Sequence, residues 1–284
     1  MDYGIPDTTA PGVLRLTAPN PSAYTHTGTQ TYIVGTADLA LIDPGPDLPA
    51  HLDAMLAAIG ARPVVAILCT HTHRDHSPAA ASLKAATGAP IVGCAALSLE
   101  DVGPRADAAF DTAYVPDRVL GDGERVSGAD WSLTVIATPG HTSNHLSFAL
   151  EGTGVLFTGD HVMGFATSVV SPPDGDMGAY MASLERLLAR DDRLYLPGHG
   201  PEVANPQRLV RGMLGHRRQR EGQILRLLGE RPAAIPAMVE RMYVGLDARL
   251  VGAAGRSVLA HLLDLQARGM VDGQEEGDWT LANG

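Results

Sequence analysis

Three histidines and one aspartate fall within the six residues His71–His76 of the stretch LCTHTHRDHSPAA, Leu68 to Ala80. Crowded imidazoles resist protonation, because one charged ring disfavours the next. A bound cation removes the conflict, since it takes imidazole in its neutral form. The preceding run VVAILC, Val64–Cys69, is continuously apolar, as expected for a strand covered on both faces. The metal-type residues therefore follow the carboxyl end of a buried strand, where open sheets place their ligands. His71 and His73, two apart in an extended loop, point the same way. Asp75 and His76 sit where the chain turns toward a helix, so they diverge to a second point. Two cations, one served by each pair, account for four donors in one loop. Imidazole and carboxylate suit zinc, and iron or manganese would also accept this set.

One loop does not saturate two metals. Three later segments, each at the end of a strand pattern, offer the remainder: TPGHTSNH with His141, FTGDH with Asp160 and LPGHG with His199. A glycine before the donor lets the backbone approach closely and turn sharply. The expected arrangement has His71, His73 and His141 on one metal and Asp75, His76 and His199 on the other, with Asp160 bridging them. A PGH tripeptide alone is a weak signal; four segments in this order are a strong one. The competing reading is a nucleic-acid-binding module with a structural metal. Structural zinc sites are closed, with four protein ligands, so seven oxygen and nitrogen donors without cysteine point to an open catalytic pair.

The surrounding patterns say what must position these residues. VLRLTA, TYIVGT and LALIDP read as strands broken by Gly, Pro and Asp. LPAHLDAMLAAIGA reads as a helix with Leu48, Leu52, Met55, Leu56 and Ile59 on one face. A second helix is expected to begin near Ser77, with Pro78 suited to its first turn. WSLTVIATPG, HLSFALEG and GVLFTGD are strands, Met177 to Ala189 is an amphipathic helix, and RLYLPGHG is a final strand and loop. Two strand-rich series with helices predict two central sheets with helices outside. After Pro206 the texture changes: a long helical pattern to Glu230, two further helices and a strand–turn–strand tail follow the order of a winged-helix unit. The expected units are 1–204 and 205–284.

Composition narrows the function classes. The chain has 284 residues, 45% of them hydrophobic, which suffices for a sizeable core. Its net charge of −11 is uneven: residues 1–204 hold 10 Lys and Arg against 23 Asp and Glu, whereas residues 205–284 hold 11 against 9. An acidic main unit disfavours nucleic acid, which is bound through clustered cations, and few cations stand near the metal loop beyond Arg74, Lys84 and Arg105. The cluster HRRQR (Arg217, Arg218, Arg220) reads as one solvated helix face. The start MDYGIPDTTAPGV has neither a basic nor an apolar signal region, and no apolar run approaches the ~20 residues of a membrane span. With two cysteines in separate apolar runs, Cys69 and Cys94, a disulfide framework is not expected and a reducing cytoplasm fits. Among the other histidines, His145 and His161 flank donors as candidates to support them, His26 lies in an exposed loop, and His51, His216 and His261 are structural. The segment 169–181 is a candidate rim of the site, with Tyr180 read as core.

The motif HxHxDH, met by His71, His73, Asp75 and His76, resembles that of the metallo-β-lactamase fold superfamily, whose later ligands correspond to His141, Asp160 and His199. Within that superfamily the chain is similar to the beta-lactamase-like protein 2 group in NPSAYTHTGTQTYIVG, in TGDHVMG and in the winged-helix-like C-terminus. Gln30 departs from the asparagine of the group's GTNTY-like segment. The resemblance implies an αββα sandwich with a small C-terminal winged-helix-like domain. It also implies a dinuclear hydrolase in which a hydroxide between two dications attacks, oriented by Asp75, with Asp75 and the bridging Asp160 as the catalytic residues. An aspartate at 160 resembles the thioesterase, lactonase and phosphodiesterase branches, whereas true β-lactamases of this fold carry Cys or Ser there. A small ester, thioester or lactone is the expected substrate. Single-stranded RNA cleavage and a weak β-lactamase side activity are the alternatives. Cys69, whose side chain alternates into the core, is expected to be an inert thiol. Cys69→Ser should leave metal content unchanged by elemental analysis, and a lost metal would place the thiolate in the site.

Overall fold

Residues 2–97 and 110–282 are described by the computed structural model of this chain. Arg105, named above as a cation near the metal loop, lies outside them. The first sheet has seven strands in sequence order: β1 (Asp7–Ala10), β2 (Val13–Thr17), β3 (Gln30–Val34), β4 (Leu39–Ile42), β5 (Val64–Cys69), β6 (Ile91–Gly93) and β7 (Arg118–Val119). Pairing is antiparallel from β1 to β4 and parallel from β4 to β7. The parallel half needs crossovers, and α1 (Pro49–Ile59) and α2 (Ala79–Thr87) provide the first two. The second sheet is ordered β12-β11-β10-β9-β8, built from β8 (Arg125–Ser127), β9 (Ser132–Ala137), β10 (Leu146–Leu150), β11 (Val155–Gly159) and β12 (Leu194–Pro197). Its one parallel pair, β11 with β12, is joined through α3 (Met177–Leu188).

Alternation along the strands assigns the layers. On β11, Phe157 joins Tyr32, Phe148 and Leu196 in the core that also holds Met55 and Ile59 of α1 and Leu83 of α2. Its neighbour Leu156 faces the other way, with Ile136 and Tyr195, into a second core under α3 and the first half of α4 (Pro206–Glu230). The result is the expected αββα sandwich. A third core joins the second half of α4 to α5 (Ile235–Met242) and α6 (Val251–Ala267), around the fully buried Trp279. The small sheet there is ordered β13-β15-β14, from β13 (Ala233–Ala234), β14 (Val271–Asp272) and β15 (Asp278–Leu281). Helices plus this small sheet make the winged-helix unit.

Several expectations shift. Helix α2 begins at Ala79, two residues past Ser77, with Pro78 at its N-cap position. On α1 the buried positions are His51, Met55 and Ile59, while Leu52 and Leu56 are only partly covered. His51 is held inside by a 2.9 Å contact of its Nε2 with Thr31 Oγ1. The arginine cluster is not one solvated face. Arg217 is 4% exposed, because it follows Val210, Met213 and Leu214 on the buried side of α4. Arg218 is exposed and pairs with Glu185, and Arg220 lies over the Tyr243 ring at 4.2 Å.

Helix α4 belongs to two cores at once, and this predicts the effect of a cut before it. Tyr180, Leu184 and Leu187 of α3 are fully buried beside Val210, Met213 and Leu214. Each such side chain contributes about 1.5–3 kcal/mol by burial, against a net stability of about 5–15 kcal/mol for a typical domain. A chain ending at residue 204 should therefore aggregate or lose its cooperative melt in calorimetry. A sharp melt within a few degrees of the full chain would show that α4 is dispensable.

Candidate metal centre

The seven predicted donors converge. The loop after β5 carries His71, His73, Asp75 and His76; His141 follows β9, Asp160 follows β11 and His199 follows β12. All therefore lie at carboxyl ends of strands from the two sheets. Three groups have their donor atoms within 4.8 Å of one another: His71, His73 and His141; Asp75, His76 and His199; and His71, His76 and Asp160, which links the other two. His71 Nε2 is 3.0 Å and His141 Nε2 3.1 Å from His73 Nδ1. In the second group His76 Nε2 and His199 Nε2 are 3.1 Å apart, and Asp75 Oδ2 is 3.1 Å from His199 Nε2.

The far side of each ring explains why the near side points inward. His71 Nδ1 lies 3.0 Å from Thr70 Oγ1, whose proton goes to Asp43 Oδ2 at 2.8 Å. His76 Nδ1 meets Asp43 Oδ2 at 3.0 Å, His141 Nδ1 meets the Val169 carbonyl at 2.6 Å, and His199 Nδ1 meets the Gly28 carbonyl at 3.3 Å. A nitrogen that donates to such an acceptor leaves a lone pair on Nε2. Lone pairs about 3 Å apart repel, but nitrogens around one tetrahedral zinc, at Zn–N of about 2.0–2.1 Å, lie roughly 3.3 Å apart. Asp75 Oδ1 is buried without a hydrogen-bond partner among the described residues. The donor set fits divalent cations.

Glycines make room for this crowding. A Cβ on Gly198 would sit 2.6 Å from both Asp160 Oδ1 and His76 Cε1. On Gly159, at φ +47°, it would sit 2.7 Å from His145 Nε2 and Thr70 Oγ1. The segment from Asn20 to Gly35 also acquires a purpose: Gly28 holds His199, Gln30 N donates to the Gly198 carbonyl at 2.8 Å, and the Gln30 amide donates to the Gly200 carbonyl.

The remaining histidines sort by contact. His145 Nε2 accepts the backbone N–H of Asp160 at 3.2 Å, so its proton resides on Nδ1, which faces Thr138 Oγ1 at 2.9 Å. It therefore positions a donor without being one. His161 is buried against the Tyr180 ring, with centroids 4.7 Å apart. Tyr180 is core, as expected, and its hydroxyl donates to the His161 carbonyl at 3.1 Å. His26 is exposed, near Phe165. Asp43 is the functional residue that sequence reasoning missed. It binds the Thr70 N–H at 2.7 Å and serves both halves of the site, and its signal was a lone aspartate ending the buried strand LALID.

Protonation differs between the halves. Burial, then the neighbouring rings, hold His71 well below the ordinary histidine range, and burial with His141 brings His73 down to about 3. Burial also opposes charge on His199, but Asp160 and then Asp75 outweigh it and raise this ring to about 9. His76 is likewise raised by Asp160, Asp75 and Asp43 against burial. Protons thus occupy the second group when no cation does. A group whose pKa is higher in the folded state stabilises fully below its unfolded value, here 6.5, and that stabilisation is lost as pH rises through the folded value. Metal-stripped protein should therefore melt at falling temperature between pH 6.5 and about 9, whereas metal-loaded protein should not follow this trend. A flat profile for the stripped form would contradict the protonation pattern.

Comparison with known proteins agrees with this geometry. The family model described as "Metallo-beta-lactamase superfamily" matches residues 24–199, and that described as "Beta-lactamase associated winged helix domain" matches residues 234–279. A "Beta-lactamase-like protein 2 homolog" of Drosophila melanogaster is 31% identical over 280 residues, covering 94% of this chain and 91% of that protein. An "Atrochrysone carboxyl ACP thioesterase" of Aspergillus fumigatus is 31% identical over 226 residues, covering 77% and 65%. A beta-lactamase domain protein from Burkholderia ambifaria shares the fold, with a TM-score of 0.83, 22% identity, and 99% and 94% of the two chains covered. The fold implies divalent metal ions at the cluster. This chain belongs to the metallo-beta-lactamase superfamily, as a hydrolase with the associated winged helix domain behind its catalytic fold.

Proposed function

We propose that the two donor triads each take one divalent cation, zinc by the chemistry of the donors, and that the enzyme hydrolyses a small ester, thioester or lactone. The placement of Asp160 carries this reading. Its Oδ1 is 3.4 Å from His76 Nε2, and its Oδ2 is 3.3 Å from His199 Nε2 and 3.8 Å from His141 Nε2, so one carboxylate faces both triads. When bound, the cations supply Lewis-acid polarisation of the scissile carbonyl and lower the pKa of water toward neutrality. Asp75 directs Oδ2 to His199, and its Oδ1 has no partner among the described residues, which suits it to orient an attacking water and accept its proton. His145 holds the Asp160 backbone, and Asp43 holds His76.

The substrate class rests on three supports. Relatives named as thioesterases share about three quarters of the chain. Of the cations named near the metal loop, the two among the described residues are engaged: Arg74 Nε donates to the Phe110 carbonyl at 3.3 Å, and Lys84 pairs with Asp117. In the C-terminal unit, taken as 205–284 behind a catalytic unit 1–204, α6 backs the rim segment instead of standing free for a nucleic-acid groove. Arg256 of α6 donates to the Pro172 carbonyl and pairs with Glu275. No helix among the described residues is long and apolar enough to cross a membrane.

Elemental analysis should find about two metals per chain. Turnover of a thioester, lactone or small ester should exceed that of a phosphodiester, single-stranded RNA and a β-lactam. Asp160→Ala should lose at least roughly 100-fold in turnover, about 2.7 kcal/mol of barrier, and loosen both metals. Full activity with both metals retained would refute the bridging role. RNA cleavage whose binding falls steeply with salt, with a log–log slope of about −0.7 per phosphate, would replace the small-substrate reading.

A further inference from the structure

Helix α4 carries one buried cation at the junction of its two cores. Arg217 follows Val210, Met213 and Leu214, which pack under α3, and precedes Ile224 and Leu228, which pack in the winged-helix core. At 4% exposure it has no carboxylate partner among the described residues, and its Nε is buried without a hydrogen bond. An unpaired buried cation is costly, and an apolar residue would serve packing better there. Its one hydrogen bond among the described residues runs from Nη2 to the Ser168 carbonyl, and its guanidinium lies 5.2 Å from the centroid of the Tyr180 ring.

That carbonyl is one peptide from the one that orients a metal donor. The next carbonyl, Val169, is the acceptor that orients His141 through Nδ1 at 2.6 Å. The other end of the same loop is tied down beside it: the His161 carbonyl accepts from Ser168 Oγ at 2.8 Å and from the Tyr180 hydroxyl at 3.1 Å. His161 directly follows Asp160. The loop from Asp160 to Val169 is therefore pinned at both ends to α3 and α4, with Arg217 as the clamp on the His141 side.

We infer that Arg217 is a positioning residue by which the helix entering the winged-helix unit sets the orientation of His141, and so the affinity of the cation held by His71, His73 and His141. The inference rests on the metal assignment proposed above. Partners that orient a ligating histidine are typically worth 10–100-fold in metal affinity. Arg218, exposed and paired with Glu185, has no such path to the site.

The test uses the full chain loaded with two cations, with release followed by chelator competition and the cobalt(II)-substituted protein followed by its visible spectrum. Arg217→Met, of similar length but without donors, should weaken one of the two cations roughly 10-fold. The cobalt bands of that site should change, and the other site should hold. Arg218→Ala should match wild type in both readouts. Should the Met variant fail to fold in a thermal melt of the metal-stripped form, Arg217→Lys carries the comparison, with a smaller loss at the same cation. Unchanged release of both cations, or equal weakening of both, would overturn the inference. A wild-type chain that takes up no cation would sink the metal assignment itself, and this inference with it.

Discussion

Holding imidazole nitrogens about 3 Å apart is repulsive without a cation, whether they carry lone pairs or protons, and the architecture of this protein is organised around imposing that arrangement. Each of four rings is turned inward by an acceptor behind it: Thr70, Asp43, Val169 or Gly28. Those acceptors come from β-strand ends and loops across both sheets, so no single element forms the site. The sandwich brings the carboxyl ends of β5, β9, β11 and β12 together, and the site exists only when both sheets are docked.

The electrostatics follow from the same crowding. Within the centre, burial and neighbouring rings hold His71 and His73 below the ordinary histidine range, while Asp43, Asp75 and Asp160 surround the second triad and raise His76 and His199. On the proposed metal assignment, cation uptake by the second triad would be an exchange for protons, which would tie occupancy to pH. The Asp160 carboxylate lies between the two triads, within 3.4 Å of His76, 3.3 Å of His199 and 3.8 Å of His141.

The C-terminal unit is part of this arrangement and not an appendage. Helix α4 completes the outer layer over α3 and then continues into the winged-helix core, so the two units share one helix. Arg256 and Arg217 each reach a backbone carbonyl of the segment that follows Asp160. Both arginines thereby tie the C-terminal unit to that segment.

Much of this was legible in the sequence because its signals are local. The continuous run at β5, the alternation at β9 to β11, and donors placed directly after strand ends require only the strand period and the chemistry of imidazole. Their pairing into two triads could be anticipated from the divergence of His73 and His76 within one loop. The short strands β7 and β8 left no pattern, because they are largely exposed and neither face is selected for burial. Asp43 was hidden for a different reason. Its partners Thr70 and His76 are 27 and 33 residues away, and only the parallel pairing of β4 with β5 brings them into contact. Arg217 looked like one of three surface charges until the packing of α4 on α3 set which side of the helix is covered. Residue types and spacing thus determined which groups converge; which side chains hold those groups in place was decided by tertiary structure, since supporting hydrogen bonds are made across the sheets and leave no period along the chain.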